Sequence, residues 1–210
     1  MKSKKEASKE QIVREIIRAA GLYKQHLVGR TFLYVFDGRS IEVIYKAQNF
    51  RHLTGVDTGL PAKRFYQNAV NRTLQQNQIW FSPQHPYQLC LRKVKHLCEI
   101  STLAQAECFM LEKITTDSRS YKFGTTDLHF TLCLNKEADA QGHELGDCFV
   151  VQSLRDETCF AKSEGVYSVT HILARQNDKK LYTDLLYMDK KVSMQDIPAD
   201  VIRRMDPALL

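Results

Sequence analysis

Residues 31–45, Thr-Phe-Leu-Tyr-Val-Phe-Asp-Gly-Arg-Ser-Ile-Glu-Val-Ile-Tyr, hold two short β-branched and aromatic segments, Thr31 to Phe36 and Ile41 to Tyr45, around Asp37-Gly38-Arg39. Asp-Gly between such runs is a strong hairpin signal, because both residues tolerate the positive φ that a tight turn requires. A β-hairpin is therefore expected early in the chain, and what flanks it decides the fold class.

Upstream, Ser8 and Gln11 have capping-box spacing, and Ile12, Val13, Ile16, Ile17, Ala20, Tyr23 and Leu27 recur at helical intervals up to Gly29. This predicts an amphipathic first helix preceded by a flexible, basic, solvated tail over residues 1–7. Downstream, Phe50 to Gly59 is punctuated by two Thr-Gly pairs and reads as a loop feeding a helix, with Pro61 at a plausible first helical position. That helix, about 61–73, turns Phe65, Tyr66 and Ala69 inward and puts Arg64, Asn68 and Arg72 on a polar stripe. A further helix is expected over about 85–99 with Leu91, Val94 and Cys98 on one side.

From about residue 107 the texture changes. Leu128, Phe130, Leu132 and Leu134 alternate with His129, Thr131 and Cys133, and period two means strand. Residues 107–115, 148–154, 166–173 and 181–187 are further candidate strands, with polar turns at 138–146 and 176–180 and a short closing helix over 194–205. Helices first and a meander later give an α+β fold: N-terminal helices and a β-hairpin packed on an antiparallel sheet formed mainly by the C-terminal half. No repeat or biased linker divides the chain, so residues 8–210 are expected to form a single domain.

Hydrophobic residues make up 43 % of the 210 and charged residues 26 %, enough for a buried core and unlike disordered, collagenous or coiled-coil sequences. The six cysteines (Cys90, Cys98, Cys108, Cys133, Cys148, Cys159) form no CxxC pair, and no N-terminal apolar stretch reads as a signal peptide. Apolar runs fall far short of the roughly 20 residues a membrane span needs. The expectation is a reduced, cytoplasmic protein with no membrane partner.

The net charge of +6 is segmental. Residues 46–96 carry Lys46, Arg51, Lys63, Arg64, Arg72, Arg92, Lys93 and Lys95 against Asp57 alone, interleaved with Phe50, Phe65, Tyr66, Trp80, Phe81 and Tyr87. Cations among aromatics suit a polyanion with stackable bases, such as RNA or another nucleic acid. The competing reading is that the acidic C-terminal part folds against this block and neutralises it.

Several catalytic signatures are missing. There is no GxxxxGK[ST] loop, GxGxxG, GxSxG elbow, HExxH helix or pair of CxxC knuckles, so nucleotide hydrolases, dehydrogenases, common esterases and zinc proteins lose support. Cys90, His96 and Cys98 lack a fourth ligand at usual spacing for zinc. No metal or cofactor is expected. A helix-turn-helix regulator is not supported either, since the helix after Pro61 follows a loop and not a short-turn partner.

The segment Phe50-Arg51-His52-Leu53-Thr54-Gly55 resembles the phenylalanine-x-His-Leu-x-Gly signature of phage-associated nuclease-like domains grouped with Barnase, EndoU, Colicin and RelE, specifically the fourth phage group. The resemblance also takes in Ile41 to Lys46, the helix with Ala62, Phe65 and Tyr66, the helix with Arg92, and Tyr167-Ser168, and it spans roughly residues 8–175. Where the family favours Pro before the late Ser, this chain has Tyr167.

The resemblance implies a compact ribonuclease-like fold with a metal-free RNA-cleaving site on the sheet. In such chemistry a base removes the ribose 2′-OH proton, an acid protonates the leaving 5′-oxygen, and cations stabilise the phosphate. His52, Thr54, Arg92 and Ser168 are the expected catalytic residues, and Arg51, Lys63, Arg64, Arg72, Lys93 and Lys95 the expected nucleic-acid-binding ones. His52, Arg64, Arg92 and Ser168 should then line one cleft. The implied protein is phage- or prophage-encoded, acts in the bacterial host cytoplasm and binds, and in the toxin-like case cleaves, RNA. The alternative is a non-catalytic interaction protein of the same fold that docks on a host protein or nucleic-acid complex and inhibits host defence. A second proton-transfer group converging on His52 in space separates the two.

Overall fold

The computed structural model describes residues 4–117, 119–139 and 141–210. Helix α1 (Lys4–His26) begins inside the stretch expected as a tail, of which residues 1–3 lie outside the described residues. It leads into the hairpin β1 (Arg30–Phe36) and β2 (Arg39–Ile44), whose turn uses positive φ at Asp37 (49°) and Gly38 (67°), as the Asp-Gly pair requires. Three helices follow: α2 (Phe50–Thr54), α3 (Ala62–Val70) and α4 (Tyr87–Leu103). The stretch from Phe50 was expected as loop, but its first five residues close into α2, stopped by Gly55 in the left-handed conformation.

The remainder is sheet: β3 (Phe109–Thr115), β4 (Ser120–Thr126), β5 (Thr131–Ala138), β6 (Glu144–Arg155), β7 (Gly165–Ser168), β8 (His171–Gln176) and β9 (Asp184–Met188), ending in the short helix α5 (Ala199–Ile202). Among the described residues, nine strands form one sheet in the order β7-β3-β4-β5-β6-β2-β1-β8-β9. The hairpin is thus a central part of the sheet and does not pack on it. Among the described residues, the named strands pair antiparallel except β2 with β6, which run parallel through Val43↔Phe149 and Ile44↔Val150.

One strand expected over 166–173 is two. Its first half, β7, pairs with β3, and its second half, β8, pairs with β1 near the other end of the sheet order. Only Val169 and Thr170 separate them, with Val169 N–H bonded to Cys108 O and Thr170 N–H to Val35 O. The sheet must therefore coil until its two ends approach, and Phe36 and Tyr167 meet across the gap with ring centroids 5.8 Å apart.

Strand β1 is buried on both faces, so its sequence reads as a nearly continuous apolar run. Phe32, Tyr34 and Phe36 join the main core with Ile12, Ile16 and Tyr23 of α1, Phe65 of α3, and Val94 and Leu97 of α4. Leu33 and Val35 join a second core closed by Tyr182, Ile197, Val201 and Met205. Strand β4 escaped the sequence reading because it is largely polar and carries Gly124. That glycine is required: a Cβ there would lie 2.5 Å from Ile114 Cδ1 and 3.0 Å from Leu132 O.

Candidate active site

The Phe50–Gly55 segment shows why its residue types recur in this order. Phe50 and Leu53, three apart on α2, are fully buried in the main core. Thr54 is buried too, and its hydroxyl donates to Arg51 O (2.7 Å). Gly55 (φ 73°) ends the helix, and its carbonyl accepts from Cys90 Sγ of α4 (3.2 Å). With its neighbours anchored in the core, His52 is the member of the turn left outside it, its ring half-buried.

His52 stands where two concavities meet. The smaller, about 270 Å³, is lined by Arg51, His52, Gly55, Val56, Asp57, Thr58 and His85. The larger, about 590 Å³, is lined by Asn49, His52, His85, Lys93, Arg119, Tyr121, Gln152, Ser153 and Arg155. His52 and His85 belong to both, so the two form one cleft.

His85 is held by the loop opposite. Asp57 and Trp80 exchange backbone hydrogen bonds (3.2 and 3.0 Å), and His85 N–H closes a turn onto Ser82 O (3.1 Å). His85 Nδ1 lies 2.8 Å from Asp57 Oδ1. An ionised carboxylate only accepts, so Nδ1 carries a proton and donates, and Nε2 has no protein partner among the described residues. Although burial acts to raise it, hydrogen bonds from Ser82 and His85 hold the Asp57 carboxyl below its usual range.

The cleft floor comes from β6. The β5–β6 register runs Cys133↔Ser153 and then Leu134↔Val151, which leaves Gln152 as an extra residue, a β-bulge. Successive strand residues ordinarily face opposite ways, but here Gln152 and Ser153 both line the cleft. Arg155, two residues on, donates through Nη2 to Thr116 Oγ1 (3.0 Å).

The electrostatics are one-sided. Lys93 of α4 and Arg119, the residue before β4, make no ion pair among the described residues, and Asp57 is the one carboxylate in the lining. Burial and the nearby Arg155 push the Lys93 ammonium below its usual value. Burial, then the positive charges of Arg51 and Arg119, lower the pKa of His52, so it is neutral at neutral pH.

His52, Arg51 and Lys93 come together in this cleft, but His52, Arg64, Arg92 and Ser168 do not share it. Thr54 lies beneath it with its hydroxyl bonded to backbone. Arg92, on the next helical position from Lys93, turns away to Asp156 (Nε to Oδ2 2.5 Å), which also holds His96 Nε2 (2.9 Å). Ser168 is exposed on β7, paired with Phe109, four strands from β6. Lys63, Arg64 and Lys95 are exposed and outside the lining, and Arg72 borders a separate groove against α1. Neutralisation by the C-terminal part is partial: Lys46 pairs with Glu137 and Arg92 with Asp156, while Arg51, Lys63, Arg64, Arg72, Lys93 and Lys95 have no ion-pair partner among the described residues.

His85, Arg119, Arg155, Asn49, Gln152, Ser153 and Tyr121 complete the lining without having been singled out in the sequence. One signal pointed toward His85. Asp57 is the lone acid in an otherwise basic stretch of fifty-one residues, 46–96, and a lone carboxylate there calls for a specific partner.

No helix among the described residues is long and apolar enough to cross a membrane. No curated protein and no solved structure gives a significant match to the chain. The family model described as phage-Barnase-EndoU-ColicinE5/D-RelE like nuclease4 (PBECR4) does match, over residues 15–191, a span that contains every residue of the cleft, and the chain belongs to that nuclease-like family.

Proposed function

We propose that the protein is an endoribonuclease that cleaves RNA by acid–base catalysis in this cleft. The observation that carries the reading is the convergence of a second imidazole, His85, on His52 in a cleft lined by four cations, Arg51, Lys93, Arg119 and Arg155. Neutral His52 takes the proton from a ribose 2′-OH as O2′ attacks the adjacent phosphorus. His85, entering the step protonated on both nitrogens with Nδ1–H held by Asp57, gives its Nε2 proton to O5′ as the P–O5′ bond breaks. The products are a 2′,3′-cyclic phosphate and a 5′-hydroxyl. Lys93, Arg119 and Arg155 stabilise the charge that develops on the non-bridging oxygens. Arg51 serves by holding the loop, since its Nη1 donates to Leu60 O (3.0 Å).

Membership of a phage nuclease-like family supports action on host RNA in a bacterial cytoplasm. The test is end-labelled RNA incubated with purified protein in EDTA and resolved on a denaturing gel. Wild type is expected to leave 2′,3′-cyclic phosphate ends, and His52→Ala and His85→Ala to lose about 10²- to 10⁴-fold in rate. Equal cleavage by all three proteins overturns the assignment. Binding without cleavage by wild type favours the non-catalytic interaction protein.

A further inference from the structure

We propose that Trp80 is the platform on which an unpaired base of the substrate stacks, so that the cleft takes single-stranded and not duplex RNA; the inference rests on the ribonuclease reading above. The six aromatic residues interleaved with the basic stretch divide sharply in the structure. Phe50 and Phe65 are fully buried and Tyr66 nearly so. Phe81 and Tyr87 pack edge-to-face on one another with centroids 5.4 Å apart. Trp80 alone is left, 47 % exposed.

Its position is fixed by backbone geometry. Trp80 and Asp57 are a directly opposed antiparallel pair that exchanges both N–H···O bonds. Residues so paired send their side chains out of the same face, so the indole emerges beside the carboxylate that holds His85. The ring leans along the loop over Gly59, whose Cβ position is 3.8 Å from Trp80 Cη2. Gly59 has no side chain to cover the indole, and Asp57 and Thr58, the residues before it, line the cleft.

The cleft also continues away from Trp80. A third concavity shares Arg119 and Gln152 with the larger lobe and adds Asn135, together with Lys122 and Lys136, which both pair with Glu144 in the same lining (2.6 and 2.8 Å). Lys93 and Arg119 in the cleft, without ion-pair partners among the described residues, and a half-exposed indole beside Asp57 on its rim match a flexible polyanion whose bases are free to splay. In a duplex every base face except the outer one of each terminal pair is covered by its neighbours and unavailable to the indole.

Trp80 is the only tryptophan in the chain, which makes it its own reporter. The probes are a short, fully 2′-O-methylated single-stranded oligoribonucleotide, which cannot be cleaved, the same sequence as a duplex closed at both ends by tetraloops, and inorganic polyphosphate. The single strand is expected to quench indole fluorescence, and the duplex and polyphosphate to leave it unchanged. By fluorescence anisotropy, Trp80→Ala should weaken single-strand binding roughly five- to 150-fold, as for one stacked base, while leaving polyphosphate binding intact and so reporting a folded cleft. Trp80→Phe should recover most of the loss. Unchanged fluorescence with single-strand affinity equal in wild type and Trp80→Ala overturns the stacking role while leaving the cleft reading in place. No binding of any probe to wild type overturns both.

Discussion

The aliphatic stem of Lys93 runs across Gly55 so closely that a Cβ at position 55 would lie 2.9 Å from Lys93 Cδ. Gly55 is therefore bound twice, by its left-handed φ of 73° and by this contact, and through it the helix carrying His52 is fitted to the helix carrying Lys93. Gly55→Ala should cost about 1–2 kcal/mol of stability from the backbone conformation alone. It should also lower RNA cleavage beyond what unfolding explains, because Lys93 must shift. Gly55→Ala with Lys93→Ala removes the clash but not the backbone penalty, so the denaturation midpoint should recover only in part. Full recovery in the double variant would mean that the contact, and not φ, is what demands glycine.

The lowered pKa of His52 sets the sign of the acid limb. A general base works only when neutral, so on the acid side cleavage should rise with pH through a value below the usual 6.5 of histidine. Burial is the main cause and the charges of Arg51 and Arg119 add to it. Arg119→Gln should therefore move the limb to higher pH, apart from its effect on rate. The measurement is kcat/KM against pH for both proteins, and a limb that stays in place would show that the titrating group is not beside Arg119.

A second histidine governs stability. His171 of β8 is fully buried, with Nε2 3.1 Å from Ser193 O and Nδ1 3.1 Å from Thr170 Oγ1. Burial lowers its pKa, against the opposing effect of the Ser193 carbonyl and the charges of Asp196 and Asp189. The unfolded chain takes up a proton at about 6.5 while the folded chain still resists it, so more protons are bound in the unfolded state and stability falls as pH drops below that value. Paired carboxylates such as Glu112 and Asp156 also have lowered pKa values, but their contribution is lost at more acidic pH, below about 4.5. Urea denaturation from pH 7.5 to 5 should thus show a decline that His171→Gln makes shallower, the remainder including His52, whose pKa is lowered too. An unchanged slope would assign the decline to other groups.

What the sequence disclosed and what it withheld follow from range. Helices α1, α3 and α4 and the β1–β2 hairpin rest on periodicity and turn chemistry within a dozen or so residues, and they appear where those signals lie. The split of β7 from β8 depends on β3 and β1, partners far away in the chain, and no local pattern at Val169-Thr170 announces it. Similarly, Leu128 continues the alternation of Phe130 and Leu132 in sequence yet sits at φ 81° in the turn before β5, where Thr126 Oγ1 bonds Phe130 O. The site divides the same way. His52 was legible because its supports, Phe50, Leu53 and Gly55, lie in the same short motif. His85, Arg119 and Arg155 reach it from three other segments, and Gln152 reaches it through a bulge, which depends on cross-strand register.

Salt dependence discriminates the cleft from the wider basic surface. Each phosphate that a cation neutralises on a single strand releases counterion and contributes about −0.7 to the slope of log K against log salt. Lys93 lines the cleft and has no ion-pair partner among the described residues, whereas Lys63 and Arg64 are equally unpaired but project from α3 outside it. Lys93→Ala should make the slope for a 2′-O-methylated single strand shallower by about one phosphate's worth and weaken binding at low salt. Lys63→Ala and Arg64→Ala should leave the slope as it is if the strand follows the cleft. A slope that responds to α3 and ignores Lys93 would move the strand onto the helical stripe of Arg64 and Arg72, and the cleft would lose its claim to the phosphate.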